Sequence, residues 1–315
     1  MRFFGKTKKN EGWLTIAFLG DGLAAAKIRR HAGDKPVVEL GVFYPDALLP
    51  PALLLDKLTR DLQAGRYQCT MLLDAGEYQL LAVDALNVPR DELKTAMRWR
   101  LKDMLDFPVD EATIDVLEIP LDKGAPARSS HGMFAVAARN SVIEQRQNLF
   151  AAARLTLSVI DIPEMAQRNI AALIEPADHG VAMLSFDADG GLLTVTFKGE
   201  LYLSRRIDIA QAQLMEHDTD RLHASFDRIT LELQRSLDHF DRQYHFINVS
   251  KLVLAPNVAP GLETYLSSNL YMPVESLDLA SVLDLSQAPQ LAGTEQQQRF
   301  FLTLGAALRL EETLL

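Results

Sequence analysis

The chain has 315 residues, 48% of them hydrophobic and 23% charged, and a formal net charge of −10. That length implies two lobes or several subdomains, and the acidity disfavours nucleic acid or an anionic bilayer as the main partner. Cys69 is the one cysteine, which leaves no disulfide framework. No run reaches the ~18 apolar residues of a membrane span, and no signal core follows Met1, so a reducing cytoplasm is the expected location.

The first ten residues, MRFFGKTKKN, place Phe3 and Phe4 before Lys6, Lys8 and Lys9. Such an aromatic-basic arm gains about 1 kcal/mol per basic residue near an anionic surface. It is too short to anchor anything alone, and a frayed terminus is the other reading. Trp13 to Phe18 and Leu23 to Arg29 read as strands around Gly20-Asp21-Gly22, a strong hairpin signal. The same G-D-G is only a fragment of a dinucleotide loop, because no third glycine and no helix follow. Val37 to Val42 reads as a strand. Ala47 to Ala64 reads as a helix after the Leu49-Pro50-Pro51 break. Gln68 to Leu73 and Tyr78 to Asp84 alternate as strands joined by Ala75-Gly76-Glu77.

The stretch from Leu93 to Ile119 organises the middle of the chain. With Leu93 as origin and 100° per residue, Met97, Leu101, Met104 and Leu105 fall between about 20° and 120°, one arc of a helix. Trp99 falls near 240°, opposite that arc and flanked by Arg98 and Lys102. Pro89 fits the first turn, and Asp91 and Glu92 put negative charge at the helix N-terminus. Phe107-Pro108 ends the helix, since a residue before proline is pushed out of the α region. A half-buried strand follows, with Ala112, Ile114, Val116 and Glu118 on one side. A polar loop, Asp122 to Ser130, leads to a strand Met133 to Ala138, a helix Ser141 to Arg154 and a strand Thr156 to Ile160.

His179 to Ser204 reads as two strands around Asp187-Ala188-Asp189-Gly190-Gly191, and an acidic-glycine turn explains that pattern by itself. Leu222, Phe226, Ile229, Leu233, Leu237, Phe240 and Tyr244 then form the stripe of one long amphipathic helix. A coiled-coil partner is the other reading of that stripe. A strand, Lys251 to Leu254, precedes Ala255-Pro256-Asn257-Val258-Ala259-Pro260-Gly261. Thr294 and Gln297 have capping-box spacing at the head of a final helix carrying Phe300, Phe301, Leu304 and Leu308.

No catalytic constellation emerges. The seven histidines show no zinc spacing and no pairing with Cys69, and there is no nucleophile elbow and no Walker loop. His239 and His245 read as surface or interdomain residues.

The order of amphipathic helix, Phe-Pro corner, acidic pair and strand resembles the inserted subdomain of PilM-like proteins, the actin-like members of type IV pilus inner-membrane platforms. "MFAVAARNSVIEQRQNLFAAARLTLSVIDIPEMAQRNI" and "LQRSLDHFDRQ" resemble the same family in the same order over nearly the whole chain. Length and composition are similar to its MSHA-type (MshI) branch. The resemblance implies an α/β actin-like fold, a duplicated ribonuclease H-like core. Residues 1–85 would open the first subdomain, 86–158 form the insert, 159–178 return to the first subdomain, and 179–315 form the second lobe with the 218–246 helix.

The resemblance also locates three nucleotide loops, each degenerate. In the first (Gly20, Asp21, Gly22), Ala17 takes the place of a metal-site aspartate, Leu19 of a glycine and Ala24 of a lysine. In the second (Asp187, Asp189, Gly190, Gly191), Ser185 takes the aspartate position and Asp187 the glycine, although a register shift offers Asp187 or Asp189 as the carboxylate. In the third, Asn257 lies in a loop with a single late glycine. The expectation is therefore no catalysis and no resident cofactor, with a scaffold role. ATP-binding ATPase activity is the alternative from another class, and a cytoplasmic GspL-like secretion component an alternative within the scaffold class. The implied partner is the N-terminal cytoplasmic segment of a PilN-type bitopic inner-membrane protein, seated between the first subdomain and the insert. Arg98, Trp99, Lys102 and Phe107 are the candidate contacts. Peripheral membrane association through that partner, other platform components and a homodimer complete the expected partners.

Overall fold

The structure, a computed structural model, describes residues 12–309 except 31–32, 46–47, 87, 90–91, 121–131 and 258. The N-terminal arm, Asp91 and the 122–130 loop therefore lie outside the described residues. The chain begins with strands β1 (Trp13–Leu19), β2 (Gly22–Arg29) and β3 (Val37–Pro45), helix α1 (Pro51–Leu62), and strands β4 (Gln68–Leu72) and β5 (Tyr78–Asp84). Its middle holds α2 (Leu93–Leu101), β6 (Ala112–Glu118), β7 (Gly132–Arg139), α3 (Asn140–Ala152), β8 (Thr156–Asp161) and α4 (Pro163–Ala171). There follow β9 (Gly180–Phe186), β10 (Gly191–Phe197), β11 (Glu200–Ile207), α5 (Thr219–Gln243), β12 (Val249–Leu254), α6 (Leu262–Asn269), β13 (Val274–Ser276) and α7 (Thr294–Ala307).

Two compact units result, one of Met1–Leu72, Gln147–Asn169 and Asp278–Leu315, the other of Leu73–Arg146 and Ile170–Leu277. The first unit is built on a five-stranded sheet in the order β3-β2-β1-β4-β8. β1 pairs antiparallel with β2 and parallel with β4. Both α1 and α7 pack on β2, where fully buried Ala24, Ala25 and Ala26 keep the strand thin. Pro51 opens α1 at a position where its missing N–H costs nothing. The helix buries Leu54, Leu55 and Leu58 as its apolar stripe.

The second unit repeats that plan. Its sheet runs β11-β10-β9-β12-β13, again a three-strand antiparallel meander with two parallel strands beyond its first strand. α5 starts where the Asp218 carboxylate accepts from the N–H groups of Asp220 and Arg221, which satisfies two otherwise orphaned donors. Its stripe of Phe226, Ile229, Leu233, Leu237 and Phe240 is buried within the same chain. The unit also holds an antiparallel sheet, β5-β7-β6, with α2 against β6. Met97, Leu101, Phe107, Ile114 and Met133 share that core, and fully burying a side chain such as Met97 or Leu101 contributes roughly 2 kcal/mol.

β4 and β5, consecutive in the chain, do not pair; β4 joins β1 and β8, while β5 joins β7. Four local expectations are corrected. Residues 179–207 hold three strands, because Lys198 and Gly199 take positive φ and turn the chain into β11. α2 ends at Leu101, so Met104 lies beyond the helical arc and is 43% exposed. Pro89 precedes α2 rather than opening it, accepting from the N–H of Glu92 at 3.0 Å. α7 is capped at Gly293 and not by Thr294. Gln297 is buried instead, donating to Asp278 Oδ1 at 2.7 Å and accepting from the Leu279 N–H at 2.7 Å.

Candidate functional site

In the first unit the β1–β2 hairpin is closed upon its own chain. Ala17 is 4% exposed and packs with Leu72, Ala166 and Ala306, with Leu19 against that cluster. The position implied to hold a metal-site carboxylate is thus part of an apolar core. Asp21 Oδ2 accepts from Arg299 Nη2 at 2.9 Å, and the Arg299 guanidinium stacks 4.3 Å from the Phe43 ring centroid. Gly22 has φ +156°, and a Cβ there would come within 2.2 Å of the Tyr44 carbonyl oxygen and 2.9 Å of Phe43 Cζ. Its lack of a side chain thus serves packing against β3. Gly20 is open, with nothing within 4 Å of such a Cβ.

The β9–β10 hairpin in the second unit is closed in another way. Asp187 Oδ1 accepts from the N–H groups of Asp189 and Gly190 at 2.9 and 3.0 Å. The Asp187 N–H in turn donates to the Gly190 carbonyl at 2.9 Å. This Asx-type turn consumes the backbone donors that a phosphate-cradling loop presents outward. Gly190 has φ +144°, and a Cβ would stand 2.7 Å from the Ile207 carbonyl oxygen. Gly191 faces the Phe186 ring, and Ser185 is buried. The third loop leaves β12 beside this hairpin, because the Ala255 N–H donates to the Leu184 carbonyl at 2.8 Å. Asn257 spans it from within, donating to the Ala255 carbonyl at 3.0 Å and accepting from the Ala259 N–H at 3.1 Å. The second and third loops therefore share one edge of the second unit's sheet.

Sequence reasoning missed the charged group beside this edge. Arg146 forms ion pairs with Glu77 and, at 3.6 Å, with Asp74 Oδ2. Burial raises the Asp74 carboxyl to about 6; Glu77, Asp189 and Asp187 add to the rise, and Arg146 opposes it. Burial likewise raises the Asp187 carboxyl, against the N–H bonds and Arg206 that favour its charge. Arg206 Nη2 donates to the Tyr78 hydroxyl at 2.7 Å. Arg146 lies 69 positions from Glu77, and no local spacing signals such a meeting. Among the described residues no group of three or more His, Cys, Asp or Glu side chains is placed to hold a metal ion. Burial also pushes the Cys69 thiol up to about 12, so it carries no thiolate chemistry near neutrality.

On α2, Trp99 is 76% exposed, and Lys102 follows it at a helical i, i+3 step in the open. Arg98 is tethered, donating from Nη1 to the Val109 carbonyl at 3.1 Å. Phe107 does not share this face. It is 7% exposed in the core beneath α2, with the Arg139 guanidinium 4.4 Å over its ring, because the turn after α2 folds it inward.

The family described as Type IV pilus assembly protein PilM matches residues 55–214, just over half of the chain. Among solved structures, a chain of a PilM-PilN type IV pilus biogenesis complex superposes with a TM-score of 0.72 at 19% identity, covering 94% of this chain and 97% of that one. A Bacteroides thetaiotaomicron protein of actin-like ATPase fold gives 0.49 at 10% identity, with 93% and 99% covered. The cytoplasmic domain of EpsL, from the Vibrio cholerae type II secretion system, gives 0.47 at 12% identity, with 92% and 93% covered. Comparison with curated proteins finds no match. The twice-repeated sheet order and the first of these superpositions make the fold actin-like.

Proposed function

The chain belongs to the family of the type IV pilus assembly protein PilM, and from that premise we propose that it is a scaffold of a pilus inner-membrane platform and does not hydrolyse nucleotide. The observation that carries this reading is the Asp187 carboxylate, which takes up the Asp189 and Gly190 N–H groups. Phosphoryl transfer needs outward-facing backbone donors and carboxylates that hold magnesium-bound water. The apolar burial of Ala17 and the pairing of Asp21 with Arg299 support the same reading at the first hairpin. Gly20, Gly22, Gly190, Gly191 and Asn257 then serve turns and packing.

The partner in this reading is the short cytoplasmic segment of a PilN-type membrane protein, and the system is of the MSHA type. The insert, residues 86–158, supplies the contact, with exposed Trp99 as anchor and Lys102 beside it. Large aromatics left in water are over-represented among binding hot spots. No helix among the described residues is long and apolar enough to cross a membrane, and in this reading the partner's own membrane span holds the complex at the inner face of the inner membrane.

Calorimetric titration of the purified chain with the partner's N-terminal segment, with and without Mg-ATP, tests the proposal. The scaffold reading expects the same affinity in both. Binding seen only with nucleotide present contradicts it, and binding in neither condition removes the partner assignment.

A further inference from the structure

The first unit holds a recess that neither the hairpin loop nor the α2 face uses. Its volume is ≈ 580 Å³, and it is bounded by the start of β1, the end of β2 and the C-terminal end of α7. Lys27, Arg29, Arg30 and Arg309 border it, with Glu39 as the acidic residue and half-buried Trp13 at the rim. Lys27 Nζ and Arg29 Nε share the one Glu39 carboxylate, at 3.0 and 2.9 Å. Arg309 Nη1 pairs with Asp161 at 3.0 Å. Arg30 donates to the backbone carbonyl of Leu308, a neutral acceptor at the end of α7. Among the described residues four cations therefore meet two carboxylates, and two positive charges remain in excess.

Burial lowers the pKa of Arg30 by penalising its charged form. The molecule as a whole carries −10, so this excess is local and runs against the general field. Three guanidinium forks match a phosphate better than a lone carboxylate, and an indole such as that of Trp13 settles where apolar and aqueous phases meet.

We propose that this recess receives the phosphate-bearing headgroup of an anionic phospholipid, so that the first unit touches a membrane surface directly and without the partner protein. The proposal is independent of the nucleotide and partner readings, and its test contains neither ligand. The full chain is sedimented with phosphatidylcholine vesicles that contain or lack phosphatidylglycerol. Expected is partition onto the anionic vesicles only. An Arg29→Gln/Arg30→Gln double variant is expected to weaken it roughly thirtyfold, at about 1 kcal/mol per basic residue. An Arg29→Lys/Arg30→Lys pair restores most of the binding, and unchanged melting temperatures show that both variants fold. Equal binding to both kinds of vesicle, no binding to either, or an unweakened double variant overturns the proposal. So does a chain that binds inorganic phosphate or an oligoglutamate peptide but leaves anionic vesicles in solution.

Discussion

Two side chains of similar sequence character have opposite surroundings. Trp99 and Phe107 both belong to the segment around α2, yet Trp99 is 76% exposed and Phe107 only 7%. Trp99→Ala is therefore expected to leave the melting temperature almost unchanged while costing partner binding ~2 kcal/mol, about thirtyfold in affinity. Phe107→Ala is expected to cost ~3 kcal/mol of stability, as buried aromatic deletions do. A Trp99→Ala protein that melts early and binds as well as the parent makes that residue structural. Asp74 is a different case. Folding raises its carboxyl from 3.8 to about 6, chiefly through burial, so the folded state holds its proton more tightly than the unfolded chain. Its contribution favours folding below pH 3.8 and is lost as pH rises towards 6. Asp74→Asn removes that loss, and melting curves at pH 4 and pH 7 are expected to show the variant gaining on the parent at the higher pH. A gain of equal size at both values rules out this origin.

At the scale of elements, the two glycines of the first hairpin are not equivalent. Gly22→Ala drives a methyl group against the Tyr44 carbonyl at a positive φ and is expected to cost about 2 kcal/mol. Gly20→Ala meets open space and is expected to be neutral within roughly 0.5 kcal/mol. Denaturant midpoints of the two variants check this, and equal midpoints contradict the packing described for Gly22. The sequence shows the hairpin through Asp-Gly between alternating runs, but not what covers it. That depends on Phe43 in β3 and Arg299 in α7, and Arg299 lies 278 residues from Asp21. The stripe of α5 was legible for the opposite reason, since a 3.6-residue period is local. The third strand β11 was hidden because only the two residues Lys198-Gly199, both at positive φ, separate it from the apolar run of β10. Gln297 misled because its spacing from Thr294 fits a cap, while its side chain finds Asp278 instead.

At the scale of the molecule, one sheet plan is used twice, and it was legible as two hairpins of similar character at Gly20-Asp21-Gly22 and Asp187 to Gly191. The pairing of β5 with β7 rather than with β4 was not legible, because strands adjacent in sequence usually pair and nothing local marks the exception. The arrangement at the candidate loops was only half legible. Ala17, Leu19 and Ala24 announce missing polar chemistry in their residue types, whereas the Asx turn at Asp187 and the Arg146 ion pairs are tertiary facts. The proposed scaffold role predicts that this actin-like fold gains nothing from nucleotide.

Thermal melting of the full chain in millimolar Mg-ATP measures this most directly. A ligand at 100 times its dissociation constant stabilises a fold by ~2.7 kcal/mol, a shift of several degrees. The melting temperature is expected to stay where it is without nucleotide. A rise of several degrees that saturates with Mg-ATP concentration contradicts it and makes the protein a nucleotide-binding member of its family.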